Sequence, residues 1–319
     1  MSAPPLIVLG VRRSGTTLLR VMLDRSSQLA VPDESYFLPQ LAHRHGDRPD
    51  VDAFLDDLRR LPTLREWELS PDEVRERLRP GMTLGEAVRA VYETYAAQQG
   101  KPRWGDKTPM YMQYLPLLER LFPDARYVHL IRDGRDAALS FLQMPEGVVT
   151  KTWAHPRDAA GFACQWRSEV AAARSLGRRV GSSRYVELRY EQLVEDPGGE
   201  LRRLCAFADL PFEAEMLAYA GNVDVSRKPH QQSLTRPPTP GLRDWRTAMS
   251  AADTAAFQEI ASDLLADLGY PLAKGAPRRP TGRGRRRLAS YRALSAAWRA
   301  SAYGLQRSPL WRRRHPPLT

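Results

Sequence analysis

Leu6-Ile7-Val8-Leu9-Gly10-Val11-Arg12-Arg13-Ser14-Gly15-Thr16-Thr17-Leu18-Leu19 constrains the fold more than any other stretch of the chain. A short apolar run ends at a glycine, turns through a basic loop and opens into an amphipathic helix. Strand, loop and helix in that order turn backbone N–H groups and a positive dipole end toward an anion, and glycines let the main chain approach it. The spacing nearly matches the nucleotide-triphosphatase loop G-x-x-x-x-G-K-[ST], but Thr16 stands where the lysine belongs. The charge sits inside the loop instead, at Arg13. A phosphate site without that lysine speaks against ATP with Mg²⁺ and for another phosphorylated donor. Taken alone, the same glycine spacing also serves as a plain tight connection between strand and helix.

A second segment repeats the pattern. Tyr127-Val128-His129-Leu130-Ile131-Arg132 reads as a buried parallel strand, and Asp133-Gly134-Arg135-Asp136-Ala137-Ala138-Leu139-Ser140 as a turn entering a helix. A guanidinium fork at Arg132 and a hydroxyl at Ser140, beside a helix N-terminus, suit a doubly charged phosphate. The alternative is structural, with Arg132 capping a strand end and pairing with Asp136. Two such motifs in this order are harder to explain as two accidents than either is alone.

Together the motifs resemble the sulfotransferases that use 3′-phosphoadenosine-5′-phosphosulfate (PAPS). The likeness is closer to the tyrosylprotein and bacterial carbohydrate-type members than to the cytosolic phenol ones. The resemblance implies that Arg12, Arg13, Ser14, Gly15, Thr16 and Thr17 form the 5′-phosphosulfate loop, although Arg12 replaces the family's proline. It implies that Arg132 and Ser140 bind the 3′-phosphate, and that Tyr190, in Arg189-Tyr190-Glu191-Gln192-Leu193, lies near the nucleotide or packs in the core. Glu34, in Val31-Pro32-Asp33-Glu34-Ser35-Tyr36-Phe37, falls where the tyrosylprotein enzymes carry their base. Lys107, in Gly105-Asp106-Lys107-Thr108-Pro109, aligns with a lysine that faces the sulfuryl group. Ser233 matches a donor-covering serine, while Asp244 replaces the lysine that the family places before Trp245, so that Arg243 or Arg246 must supply its charge.

Sulfuryl transfer needs a base for the acceptor proton and cations where charge builds on the leaving phosphate. Glu34 is the candidate base, with Arg13 first and Lys107 second for the leaving group; no metal is expected. A competing reading has Asp33 and Glu34 capping a helix that begins near Ser35. His129 is a weaker base, since its strand position suits a buried structural histidine, and His155 is a further candidate. Tyr36, Phe37, Trp67, Trp104, Tyr111 and Trp153 line an aromatic acceptor site or else belong to the core.

The net charge of +11 belongs to one end of the chain. Residues 274–319 hold thirteen Lys and Arg and no Asp or Glu, which leaves −2 for residues 1–273. After a Pro/Gly/Arg linker, Leu288, Tyr291, Leu294, Ser295, Trp298, Ala302 and Leu305 recur at helical spacing among arginines. Such a basic amphipathic helix lies on an anionic membrane surface, docks on the parent domain or stays solvated. Nothing resembles a base-reading nucleic-acid module. Only Cys164 and Cys205 occur, so neither a disulfide framework nor a metal site is indicated. Leu6 to Leu9 is too short for a signal peptide and no stretch has the length of a membrane span, which makes a cytoplasmic protein the expectation, peripheral at the inner face of the membrane if the tail binds lipid.

Alternation of strand and helix signals predicts an α/β fold, a P-loop-type parallel sheet flanked by helices. The expected body is residues 1–273, with a helical insertion at about 38–100, followed by the basic tail at 274–319. Capping signals at Ser70 and Thr83 start helices within the insertion, and Ser250 starts a final one in the body. The expected reaction is sulfuryl transfer from PAPS to a hydroxyl, or an amine, of a carbohydrate, glycolipid, phenol or other metabolite, with release of adenosine 3′,5′-bisphosphate. A P-loop kinase using Mg-ATP and a non-catalytic, membrane-recruited anion-binding module are the alternatives. Oligomeric state is not legible in the sequence.

Overall fold

The computed structural model describes residues 3–144, 155–220 and 244–306. Five strands, β1 (Leu6–Leu9), β2 (Leu29–Ala30), β3 (Arg103–Asp106), β4 (Arg126–Ile131) and β5 (Tyr185–Arg189), form one sheet in the order β2-β3-β1-β4-β5. Every pairing is parallel; Leu6 lies opposite Arg126 on one side and Gly105 on the other. A parallel sheet is covered on both faces, so its central strand β1 is apolar throughout, and the alternation of side chains sorts the sheet's apolar residues between two cores. Ile7 and Leu9 of β1, with Tyr127 and Ile131 of β4, join one core; Leu6 and Val8, with Val128 and Leu130, join the other.

Helix α1 (Thr16–Asp24) follows β1 and buries Leu18, Leu19, Met22 and Leu23. Five helices between β2 and β3 fill Leu38–Gln98: α2 (Leu38–His45), α3 (Val51–Arg60), α4 (Pro62–Glu66), α5 (Pro71–Arg75) and α6 (Leu84–Gln98). Capping boxes begin α5 at Ser70 and α6 at Thr83, where Thr83 N–H donates to Glu86 Oε2 at 2.7 Å. After β3 come a 3₁₀ turn (Pro109–Gln113) and α7 (Leu115–Leu121); after β4 come α8 (Gly134–Leu142) and the long α9 (Ala159–Val180). Beyond β5 lie α10 (Tyr190–Glu195), α11 (Pro197–Ala208), the short α12 (Trp245–Ala248) and α13 (Ala251–Asp267), whose Ser250 cap accepts from Asp253 N–H at 3.0 Å. Cys164 in α9 and Cys205 in α11 are buried and unbridged, and burial pushes both thiols up to about 11.

The aromatic residues from the insertion and β3 make a continuous stack through the larger core. Trp67 meets Phe37 edge-on at 5.8 Å, and Tyr92 stacks on Trp104 at 4.4 Å. Phe37, Trp67, Trp104 and Tyr111 are all buried, so the idea that they line an acceptor site is overturned. Trp153 lies outside the described residues.

The last helix, α14 (Gly282–Gln306), packs on the body against α9, α13 and α2. Gly284 makes the approach possible, because a Cβ there would fall 2.1 Å from the Glu259 carbonyl of α13. Leu288 is buried, Tyr291 packs against the larger core and Arg287 pairs with Asp158, the cap of α9, at 2.5 Å. The stripe that faces the body thus runs through Gly284, Leu288, Tyr291 and Ser295. Leu294, expected on the same apolar face, is instead 55% exposed.

Candidate active site

Sheet order decides what meets at the carboxyl ends of the strands. β1 lies between β3 and β4, so the loops leaving these three strands are neighbours, the usual place for a ligand in an open α/β sheet. β1 delivers Arg12 and Arg13, β3 delivers Lys107, and β4 delivers Arg132. The three strand ends are distant in sequence and neighbours in the sheet.

The loop after β1 closes with Ser14 N–H donating to Val11 O at 3.1 Å, and Gly15 caps α1 at φ 90°. A Cβ on Gly15 would stand 2.3 Å from the Tyr190 ring, so only glycine fits. Arg13 also holds a left-handed backbone, φ 69°, which is costly for a residue with a side chain and marks a site the fold over-determines. Its Nε donates to Ser140 Oγ at 2.9 Å, while Arg132 donates to Arg13 O at 3.2 Å and lies 4.4 Å from the centre of the Tyr190 ring. Arg13, Arg132, Ser140 and Tyr190 therefore meet as the two motifs imply. Arg132 does not pair with Asp136, whose carboxylate accepts from Trp245 N–H at 2.8 Å.

Arg12 is turned elsewhere, to His155 Nε2 at 2.7 Å. Burial and the Arg12 charge press the His155 imidazole down to about 4, which leaves it a poor base. His129 is fully buried, bonded to Tyr185 OH at 2.6 Å and pressed to about 3 by desolvation, as suits a structural histidine.

Glu34 and Lys107 form the other half of the site. Lys107 Nζ donates to Glu34 Oε1 at 2.5 Å and to Thr17 Oγ1 at 3.3 Å, so the pair abuts the start of α1. Lys107 is 1% exposed; burial pulls its pKa below the ordinary lysine value, and the Glu34 carboxylate opposes that pull. Tyr36 OH donates to Glu34 Oε2 from a backbone at φ 56°. The capping alternative for Glu34 is overturned: α2 begins only at Leu38, no side chain caps it, and Asp33 pairs with Arg20 at 3.2 Å.

Beneath this pair lies a network that the sequence reading missed. Asp106 Oδ2 accepts hydrogen bonds from Ser35 Oγ and Tyr92 OH, each at 2.8 Å, and from Thr108 Oγ1 at 3.2 Å. Ser35 also shares a 2.6 Å hydrogen bond with Tyr111 OH, and Ser35 N–H donates to Thr108 Oγ1 at 2.9 Å. Desolvation raises the Asp106 carboxyl to about 6, against the pull of its hydroxyl donors. The signal available was Asp106 at the end of a buried strand, next to Lys107, where a carboxylate needs partners.

Several polar groups here face inward without protein partners. Ser14 Oγ, in the loop after β1, and Arg132 Nε, at the end of β4, are buried and unbonded. Such orphaned donors fit a polyanionic ligand seated on the loop. Arg246 is taken by Asp244 at 3.1 Å. Ser233 and Arg243 lie outside the described residues.

A strand-loop-helix turn lined with cations, a second basic strand end and a carboxylate–lysine pair meet at one edge of this α/β sheet, the layout of a fold that receives an anion. The comparisons narrow the class: the pattern of the Sulfotransferase family matches residues 4–214, and the chain belongs to that family. It is 25% identical over 281 residues to protein-tyrosine sulfotransferase A of Caenorhabditis elegans, covering 84% of this chain and 68% of that one. Two solved structures share the fold. A sulfotransferase domain from the curacin biosynthetic pathway superposes with a TM-score of 0.60 at 23% identity, over 86% of this chain and all of the domain. The sulfotransferase domain of the Synechococcus PCC 7002 olefin synthase gives 0.57 at 23% identity, over 86% and 98%.

Proposed function

We propose that this sulfotransferase takes its sulfuryl group from PAPS, transfers it to an acceptor hydroxyl and releases adenosine 3′,5′-bisphosphate. The observation that carries the reading is the 2.5 Å contact of Lys107 with Glu34 against Thr17 of the phosphate loop. A carboxylate and a cation side by side at the start of α1 support a reading in which one serves the acceptor and the other the leaving group. Glu34 receives the acceptor's proton as its oxygen bonds to sulfur. The bond from sulfur to the bridging phosphate oxygen breaks, and Lys107 and Arg13 balance the charge left on that oxygen. Thr16, Thr17 and the loop amides hold the 5′-phosphate; Arg132, with Ser140, holds the 3′-phosphate.

The acceptor belongs to the hydroxyl class, which includes the sugars, glycolipids and phenols expected from the sequence and the tyrosine phenol named for the worm relative. Titration calorimetry on the full chain tests the donor, using adenosine 3′,5′-bisphosphate and ATP, each with and without Mg²⁺. Metal-independent binding of the bisphosphate in preference to ATP is expected. A preference for Mg-ATP would overturn the proposal in favour of a kinase, and binding of neither would leave only a non-catalytic role.

A further inference from the structure

The geometry points to a second anion site, a pocket for the phosphate of an anionic membrane lipid, between α9, α13 and the linker that enters α14. A groove of about 900 Å³ lies there. Leu272 and Leu288 give it an apolar floor, and Arg278, Arg279, Arg285 and Arg292 line its sides. The two carboxylates that also line it are already engaged. Asp263 accepts a two-pronged contact from Arg167, one prong at 2.8 Å, and Asp267 pairs with Arg174 at 2.5 Å.

No carboxylate among the described residues lies within ion-pair distance of the four linker and α14 arginines. Arg285 donates to Pro280 O at 2.9 Å and Arg292 to Ser168 Oγ at 3.3 Å, both neutral partners. Four guanidinium groups around one groove repel one another until an anion neutralises them, and their planar forks match phosphate oxygens in pairs.

Two features select a lipid phosphate over a free one. The floor is apolar, which suits a glycerol backbone and the start of its acyl chains. The surrounding surface also continues the charge, since Arg283 and Arg286 are exposed on the outward side of α14 and Leu294 stands 55% exposed further along it. Charge complementarity to an anionic bilayer is thus confined to one end of a chain whose remainder carries −2. Among the described residues no helix is long and apolar enough to cross a membrane, so the contact is peripheral.

Co-sedimentation of the full chain with vesicles tests this, comparing phosphatidylserine mixed into phosphatidylcholine with phosphatidylcholine alone. Two double variants remove equal charge: Arg279→Gln with Arg292→Gln in the groove, and Arg283→Gln with Arg286→Gln outside it. Diffuse attraction weakens both alike, by about fivefold per residue. A headgroup pocket makes the groove pair lose at least tenfold more, with unchanged melting temperatures showing that both variants are folded. Equal losses, or no preference for anionic vesicles, would overturn the pocket. So would inorganic phosphate raising the melting temperature of the parent protein, and not of the groove pair, while vesicles fail to bind.

Discussion

Glu34 and Gly15 illustrate two ways in which a single residue sets this site. Glu34 is the base of the proposed reaction: replacing it with Gln keeps the shape and removes a proton acceptor, so on that reading turnover should fall by about 10²- to 10⁴-fold. Bisphosphate affinity should stay within about twofold, and a matching loss of affinity would show that Glu34 acts in donor binding instead. Gly15 offers room. Gly15→Ala puts a methyl 2.3 Å from the Tyr190 ring at φ 90°, which should cost about 1–3 kcal/mol and abolish measurable bisphosphate binding by calorimetry. Retained affinity would mean that the loop relaxes around the methyl.

At the scale of elements, β3 does more than pair with its neighbours. Its terminal Asp106 ties the segment before α2 to α6 through Ser35 and Tyr92, and so fixes Glu34 beside Lys107. On the proposed reading, Asp106 is a positioning residue. Asp106→Asn should lower kcat by about tenfold or more while leaving bisphosphate affinity unchanged. Protonation of Asp106 as pH falls through about 6 should contribute an acid limb to kcat that the Asn variant lacks. An identical limb in both proteins would assign it to another group.

The elements themselves were largely legible: the run from Leu6 to Leu9, the capping boxes at Ser70 and Thr83 and the Ser250 cap each declare themselves within a few residues. Glu34, Lys107, Arg132 and Ser140 were legible as motif positions. The Asp106 network was not, because its partners at positions 35, 92 and 108 are joined only by the fold, and no local pattern encodes a long-range hydrogen bond. The buried fate of Trp67 and Trp104 was equally hidden, since an aromatic residue looks the same in a core and in a cleft.

For the whole molecule, the basic terminal segment bears on stability. Deleting the chain from Gly282 onward uncovers the faces of α9 and α13 that Leu288 and Tyr291 protect, and should lower the melting temperature by more than about 5 °C. An unchanged melting curve would show that α14 contributes nothing to the body. Glu169 of α9 lies buried, bonded to Gln165 at 2.9 Å and Gln113 at 3.1 Å, with the charges of Arg12 and Arg299 near it. Desolvation raises its carboxyl to about 7. Between its ordinary range near 4.5 and this value, the folded chain keeps a proton that the unfolded chain has released, so this group's contribution to stability is lost as pH rises. Glu169→Gln should therefore gain in melting temperature relative to the parent between pH 5 and pH 8; a difference that stays flat with pH would rule the linkage out.

The placement of β1 between β3 and β4 also has a kinetic meaning. The proposed site draws on Arg13 and Arg132, 119 residues apart, for its anion, and on the Glu34–Lys107 pair, 73 apart, for its chemistry. No half-formed sheet possesses it, because contacts of such separation close late in folding. A bound nucleotide should then leave the refolding rate untouched and act wholly as a brake on unfolding. On the proposed reading, the donor would then set how long each molecule lasts before it opens.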